Sequence, residues 1–562
     1  MQTRRDARHP IPDPAADQGL SELGRARFQE RLSAKDASLF KSDPAHRKVI
    51  RNSLGWLSLP RSMALALGPI RSFAAEASQE GFKSAVVLGM GGSSLSCEVF
   101  RRCFACPQGG LELKVLDSTN PGSVRSLESS LDLKRTLFVV SSKSGATVEP
   151  NSMMEYFHAR ASKACGAKAG RHFVSITDPG TSLEKLSLRL RFRKVFTNPP
   201  DIGGRYSVLS NFGLVPAALM GVDVAKLLAR AAVEADDPGT GLRLGAALGV
   251  LAGRGRDKMT LSLSPGIAAL GLWIEQLVAE STGKEGRGIV PVREPISADG
   301  GGDRVYVRIA LAGEVDKAAE KDLQRLEKSH PVIRFTLPDV YGLGSQFYLW
   351  EIATAAAGFL LGVNPFDQPD VASAKDQTLA LLSGLEKGKL PKETASFRAG
   401  GLAAHADDGL VSSLGATKGS SMPLAQVLRS HWARMRAGDY GAILAFIEET
   451  PEKVRLLESV ARRLRSGGAP VMLQYGPRYL HSTGQLYKGG APSGLYILVT
   501  EPVARDLPVP GEKYSFAVLH RAQARGDFAA MKAAGRRVLR LDLNAPAVEG
   551  LRSLAKAAPG VD

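Results

Sequence analysis

A glutamine and a glutamate in the middle of the chain have residue types and spacing that could serve catalysis. In WIEQLVAESTGK (Trp273 to Lys284), Gln276 and Glu280 lie four residues apart, and a glycine-containing loop follows. A spacing of four predicts that both side chains lie on one face of a helix. Taken alone, such a pair is more often a solvated polar stripe than a catalytic one. The interpretation therefore depends on other segments of the chain.

A loop rich in serine and threonine has the features of a phosphate site. In VVSSKSGATVE (residues 139–149), a strand that ends near Val140 leads through this loop into a helix from Val148. Helix N-termini offer free N–H groups and the positive end of the dipole, and hydroxyls add donors. An ordinary helix cap would have the same composition. The candidate phosphate ligands are Ser142, Lys143, Ser144 and Thr147.

A glycine-rich turn, GMGGSSL, follows the first predicted strand, SAVVL (Ser84 to Leu88). A dinucleotide fingerprint, G-x-G-x-x-G, needs a third glycine three positions after the second. The spacing of Gly89, Gly91 and Gly92 does not supply it, which argues against a nicotinamide cofactor. A turn that lets the backbone approach a sugar phosphate fits the residues equally well.

Four segments in chain order resemble the active-site segments of glucose-6-phosphate isomerases. They are VVSSKSGATVE, DIGGRYSVLS, WIEQLVAESTGK and NPFDQPDVASAK, and the resemblance covers the chain from Gly89 to Lys375. It implies an α/β fold with two flavodoxin-like sugar isomerase domains, whose parallel sheets are flanked by helices. Strand and helix patterns add a third, C-terminal α/β domain. The implied reaction interconverts glucose 6-phosphate and fructose 6-phosphate.

The resemblance also implies roles for single residues. Moving a proton between adjacent carbons through an enediolate needs a base and a cation facing the oxyanion. Glu280 matches the base, Arg205 the cation and Lys375 a lysine that assists ring opening. Two glycines before Arg205 favour close backbone approach over a surface ion pair. The implied substrate-binding residues are Gly91, Ser93, Ser142, Lys143, Ser144, Thr147, Gly204, Gln276 and Gln368. No metal or other cofactor is implied.

A histidine is displaced relative to the family pattern. Bacterial members carry a ring-opening histidine about twenty residues after the glutamate, in a motif like LHSMGQ. Residues 281–320 contain no histidine, but LHSTGQ occurs at Leu480 to Gln485, with His481 in the matching place. The elements around it echo those from Pro331 onward, which suggests a degenerate repeat. This resembles the isomerase half of transaldolase/phosphoglucose isomerase fusion proteins, whose transaldolase half would precede Met1. A buried structural histidine is the alternative for His481.

Alternating strand and helix patterns suggest several domains. A Gly/Arg-rich stretch at 237–256 resembles a seam between α/β units, and 387–421 resembles a linker. The predicted divisions are an N-terminal arm and helix at 1–50, sugar isomerase domains at 51–240 and 241–400, and a C-terminal α/β domain at 401–562, whose pattern suggests a partial repeat of the second.

Composition limits the function classes. The 562 residues carry a net charge of +17, but basic residues are dispersed and aromatics are only 6%, which argues against nucleic-acid binding. Apolar runs are too short to span a membrane, and no export signal is evident. Cys103 and Cys106 form a CxxC, but Cys97 and Cys165 do not form a second pair with zinc-ligand spacing. We therefore expect a cytoplasmic protein with a sugar-phosphate partner, and the resemblance implies a homodimer. An isomerase that also accepts mannose 6-phosphate and a non-catalytic sugar-phosphate regulator remain alternatives.

Overall fold

The computed structural model describes residues 13–296, 301–314, 316–465 and 468–560. The chain forms two compact units: the first lies within residues 1–80, 95–111 and 199–367, and the second within 81–94, 112–198 and 368–562. The first 12 residues of the predicted arm lie outside the described part. The N-terminal helix predicted within 1–50 is observed first as two helices, Asp13–Arg25 and Phe28–Ser33.

The second unit contains a five-stranded parallel sheet of order β2–β1–β3–β4–β5. Apolar runs such as SAVVLG and TLFVVS are almost wholly buried, as strands covered on both faces require. The strands are β1 (Ser84–Gly89), β2 (Glu112–Leu116), β3 (Thr136–Ser141), β4 (Phe173–Thr177) and β5 (Lys194–Thr197). The helices of this region are Pro121–Ser129, Val148–Cys165 and Ser182–Arg189, and Gly92–Cys103 belongs partly to each unit.

The first unit contains a four-stranded parallel sheet of order β7–β6–β8–β9. The strands are β6 (Lys258–Leu263), β7 (Val290–Val292), β8 (Arg304–Leu311) and β9 (Val332–Leu337). Besides the two N-terminal helices, its helices are Pro44–Arg51, Leu59–Leu65, Leu67–Gln79, Asn211–Leu219, Val224–Asp236, Gly239–Gly253, Leu270–Thr282, Lys317–Leu326 and Leu343–Leu360.

Most of the predicted seam at 237–256 is the helix Gly239–Gly253. Three of its glycines, Gly241, Gly245 and Gly249, face another helix of the first unit, Leu343–Leu360. A Cβ on Gly245 would lie 2.3 Å from the backbone oxygen of Ala353. These glycines therefore permit close packing of the two helices.

The second unit also contains a seven-stranded mixed sheet of order β12–β10–β11–β16–β15–β13–β14. Strands β13 to β16 pair in parallel, and β11 is antiparallel to both its neighbours. The strands are β10 (Phe397–Ala399), β11 (Leu402–Ala406), β12 (Ser421–Met422), β13 (Tyr440–Phe446), β14 (Val471–Tyr475), β15 (Gly494–Thr500) and β16 (Arg537–Asp542). Its helices are Val371–Ser383, Asp408–Ser413, Leu424–Trp432, Pro451–Arg465, Gly484–Gly489, Phe516–Ala533 and Ala547–Ala557.

The prediction of a linker at 387–421 is wrong, because this stretch supplies β10 and β11 and the first residue of β12. Alternate residues of β10 and β11 are buried in the core of the sheet: Phe397, Ala399, Leu402, Ala404 and Ala406. Alanine carries much of this period-two pattern, so the Gly-, Lys- and Ala-rich composition concealed it.

The predicted α/β class with parallel sheets flanked by helices is confirmed, and the domain boundaries stay a prediction. The two proposed repeat copies share a strand followed by an 18-residue helix, β9 with Leu343–Leu360 and β15 with Phe516–Ala533. They then differ, because the second copy continues into β16 and the first into a loop. No helix in the described part of the chain combines the length and apolar character that a membrane crossing requires.

Candidate functional site

The helix Leu270–Thr282 in the first unit holds the candidate base. All residues from Trp273 to Ala279 are buried, and the Glu280 side chain is 12% exposed. The side-chain amide of Gln276 donates to Glu280 Oε2 over 3.0 Å. The two side chains therefore share a face as predicted, and the alternative of a solvated stripe is wrong.

Arg205 lies against the same carboxylate. Its side chain is 3% exposed, and Nη1 lies 3.2 Å from Glu280 Oε1. Nε donates to the Ser281 hydroxyl over 2.7 Å. Nη2 donates to the backbone oxygens of Pro365 and Asp367 over 2.6 and 2.9 Å. These bonds fix a buried positive charge beside the candidate base, so a surface ion pair is excluded.

Lys284 is a buried lysine that the sequence predictions did not include. Its side chain is 1% exposed, and Nζ donates to the backbone oxygens of Asn364 and Asp367 over 2.7 and 2.5 Å. The pKa of Lys284 is lowered to about 8, mainly by burial and then by the charge of Arg205, while the Asp367 carboxylate opposes the shift. Arg205 and Lys284 thus share one backbone acceptor. The position of Lys284, four residues after Glu280, was the available sequence signal.

The candidate phosphate loop in the second unit connects β3 to the helix Val148–Cys165. Thr147 is the N-cap residue of that helix, but its side chain makes no capping hydrogen bond. Its hydroxyl instead accepts from Ser142 Oγ over 3.2 Å and lies 3.5 Å from Ser144 Oγ. Helix capping, the alternative explanation for this composition, therefore does not account for the Thr147 hydroxyl.

A cavity of about 160 Å³ in the second unit joins this loop to residues far away in sequence. Ser144 and Thr147 line it from the loop, Lys375 lines it from the helix Val371–Ser383, and His481 lines it as well. The structure therefore brings together two predicted phosphate ligands, the predicted ring-opening lysine and the displaced histidine.

Glu149 positions His481, although no role was predicted for it. His481 Nε2 lies 2.8 Å from Glu149 Oε1, which also accepts from the side-chain amide of Gln523 over 2.7 Å. Burial raises the pKa of Glu149, but His481 and then Lys375 outweigh this and hold that pKa below its usual value. An ionised Glu149 can fix the imidazole orientation. These contacts lie within one chain, and the place of Glu149 in the first turn of its helix was the available signal.

For the other predicted binding residues, the structure gives less direct support for a role in binding. Gly91 has a φ of +56°, a left-handed conformation that favours glycine. A Cβ on Gly204 would meet no heavy atom within 4 Å beyond its chain neighbours, so packing of the described residues does not require glycine there. Lys143 forms an ion pair with Asp178 and does not line the cavity. Binding roles stay predictions for Gly91, Ser93, Ser142, Lys143, Gly204 and Gln368.

Comparisons with known proteins agree with the sequence resemblance. Residues 72–238 match the family model for phosphoglucose isomerase. A glucose-6-phosphate isomerase of Heliobacterium modesticaldum is 29% identical over 403 residues, which cover 60% of this chain and 90% of that enzyme. One from Carboxydothermus hydrogenoformans is 28% identical over 432 residues, which cover 63% of this chain and 91% of that enzyme.

Among solved structures, a hypothetical protein of Thermus thermophilus aligns with a TM-score of 0.57 and 26% identity. That alignment covers 67% of this chain and 100% of the other. The fold over 67% of this chain is therefore shared with a solved structure, and the sequence is similar to glucose-6-phosphate isomerases. The resemblance predicted from the four motifs is confirmed.

Proposed function

We propose that this protein is an aldose–ketose isomerase that interconverts glucose 6-phosphate and fructose 6-phosphate through an enediolate. The observation that carries the proposal is the pairing of the buried Arg205 with Glu280, whose side chain is 12% exposed, because this reaction needs a base beside a fixed cation. Glu280 moves the proton between carbons 1 and 2. Gln276 orients the carboxylate, and Arg205 stabilises the enediolate oxygen. No cofactor takes part in these steps.

The second unit supplies phosphate binding and ring opening in this proposal. Ser144 and Thr147 bind the phosphate together with the N-terminus of their helix. Lys375 and His481 move protons during ring opening, and Glu149 orients His481. The further substrate contacts are Gly91, Ser93, Ser142, Lys143, Gly204 and Gln368. The family resemblance also supports a cytoplasmic homodimer as part of the proposal.

The alternative of a non-catalytic sugar-phosphate regulator accounts for fewer observations. A regulator would need the phosphate loop, but binding alone does not need a buried carboxylate paired with a guanidinium. Arg205 and Glu280 therefore favour an enzyme. An isomerase that also accepts mannose 6-phosphate uses the same residues, so a direct assay must separate it from the first proposal.

A coupled assay tests the proposal. Purified protein should convert fructose 6-phosphate to glucose 6-phosphate, detected through glucose-6-phosphate dehydrogenase, and parallel reactions with mannose 6-phosphate test wider specificity. In deuterated water, the product should carry deuterium at carbon 2, because the enediolate exchanges its proton with solvent. A protein that binds fructose 6-phosphate but forms no product would be a regulator.

A further inference from the structure

A larger cavity, of about 910 Å³, lies at the carboxyl edge of the seven-stranded sheet in the second unit. Its lining includes Phe446, Thr500 and Asp542, the last residues of β13, β15 and β16. Strand β14 lies on one side of β13, and β15 and β16 lie on the other. In α/β sheets, the crevice at such a reversal of strand order is the usual ligand position.

Among the basic side chains that line this cavity, three converge on one carboxylate. Arg540 belongs to β16 and is 1% exposed, and His405 lies opposite it on β11 and is 7% exposed. Arg525 belongs to the helix Phe516–Ala533 and is 14% exposed. Basic groups held this far from water need an anionic partner.

The partner is a carboxylate from a stretch without helix or strand, residues 390–395. Glu393 accepts two bonds from the Arg540 guanidinium, over 3.1 and 2.6 Å. Its oxygens also lie 3.0 Å from Arg525 Nε and 3.7 Å from His405 Nδ1. The Glu393 side chain is 29% exposed, so the anion in the cavity comes from a partly exposed segment.

Asp542 is a second carboxylate partner of Arg540, but it belongs to the sheet. It accepts from Arg540 Nε over 3.0 Å and from the Thr500 hydroxyl over 2.8 Å. If Glu393 moved away, Arg540 would keep this partner. Arg525 would lose its carboxylate partner, because that partner is Glu393 among the ion pairs of the described residues.

We propose that this cavity is a second ligand site, for a small organic phosphate, and that Glu393 acts there as an internal competitor of the phosphate group. Phosphate oxygens accept the two parallel bonds that the Arg540 fork now gives to a carboxylate. The volume suits a molecule of metabolite size. The cavity shares no lining residue with the one that contains Ser144 and His481.

Binding of inorganic phosphate to the full chain tests this site. The starting protein carries Ser144→Ala and Thr147→Ala, which remove hydroxyl ligands from the other candidate phosphate site. Calorimetry at constant ionic strength then compares it with the protein that also carries Glu393→Gln. Loss of the competing charge should tighten phosphate binding by about tenfold. Glu386→Gln is the matched control, because it makes the same change on an exposed residue nearby that does not line the cavity.

Two further variants keep the test decisive. Arg525→Gln added to Glu393→Gln should abolish the gain in affinity, because it removes a phosphate ligand. Glu393→Asp keeps the negative charge on a shorter side chain. It should therefore tighten phosphate binding less than Glu393→Gln does, and it should disturb the ion pairs of the cavity less. Equal phosphate affinities for the Glu393 and Glu386 variants would overturn the proposal, and so would a gain that survives Arg525→Gln. Neither readout depends on isomerase activity.

Discussion

The two units hold their candidate catalytic side chains in different ways. In the first unit, Arg205 is buried, the Glu280 side chain is 12% exposed, and the two are paired directly with each other. In the second unit, Lys375 and His481 line a cavity, and Lys375 is an exposed residue. A guanidinium held rigidly away from water, such as that of Arg205, suits stabilisation of a transition state, whereas an exposed lysine such as Lys375 suits substrate binding and ring opening. We therefore expect substitutions in the two units to affect different kinetic constants.

Glu280→Gln should have the largest effect on turnover. It keeps the shape of the side chain and removes the base, so kcat should fall by about 10² to 10⁴. KM for fructose 6-phosphate should change little, because the phosphate ligands belong to the other unit. Steady-state assays of both constants check this result.

Glu275→Gln is the matched control, since Glu275 lies on the same helix and pairs with Arg293 over 2.8 Å. This substitution should lower the free energy of unfolding and leave kcat nearly unchanged. A Glu280→Gln enzyme that kept over a tenth of wild-type turnover would refute the role of Glu280.

Arg205→Lys should lower kcat by about 10² to 10³, the loss typical for a group that stabilises an oxyanion. A lysine keeps the charge but cannot reproduce the bonds to Glu280, Ser281 and the two backbone oxygens. Binding of a competitive sugar-phosphate inhibitor should be retained. Arg287→Lys, which changes an arginine bonded to the backbone oxygen of Leu361, is the control. If inhibitor affinity and kcat fell together, Arg205 would be a phosphate ligand instead.

Ser144→Ala combined with Thr147→Ala should have the opposite kinetic effect to Arg205→Lys, on KM and not on kcat. Two hydroxyl bonds to a charged phosphate are lost, so KM should rise by about 10 to 100-fold while kcat changes little. Inhibition constants for sugar phosphates should rise in parallel. Ser129→Ala, which removes a hydroxyl bonded to the backbone of Ser126 on an exposed helix, is the control. A fall in kcat with constant KM would contradict the division between the units.

His481→Ala should slow turnover of cyclic substrate by about tenfold, less than a usual acid–base effect, because the ring also opens without catalysis. Isomerisation of an aldose phosphate too short to close a ring should be unaffected. Glu149→Gln should produce a weaker form of the same pattern, since it removes the carboxylate that contacts the imidazole. His330→Ala, at a half-buried histidine in the first unit, is the control. Equal losses on cyclic and open substrates would assign His481 a structural role.

The sequence predicted the elements that carry strong local signals. Apolar runs identified the parallel strands, and the spacing of Gln276 and Glu280 predicted their common face. The alanine-rich strands β10 and β11 gave a weak signal because small side chains obscure the difference between buried and exposed positions. The helix Gly239–Gly253 was missed because glycine usually indicates a break, while here it allows close packing.

The site was less predictable than the fold, because its contacts join distant residues. His481 and Glu149 are 332 positions apart, and Lys284 and Asp367 are 83 apart. Residue types alone do not reveal such pairs. The family motifs indicated His481, but the glutamate that holds it became evident only from the folded chain.

Lys284 provides the smallest expected effect, a pH dependence of stability. Its pKa in the folded protein, about 8, lies below the usual 10.5, so the folded state binds fewer protons than the unfolded chain between these values. The free energy of unfolding should therefore rise with pH in this window, with a contribution from Lys284 of about 1 kcal/mol between pH 7 and 9. Urea unfolding of the wild type and Lys284→Met isolates this contribution, because the other titrating groups are shared. A constant difference between the two proteins across the window would mean that the bonds to Asp367 and Asn364 outweigh burial and keep Lys284 charged.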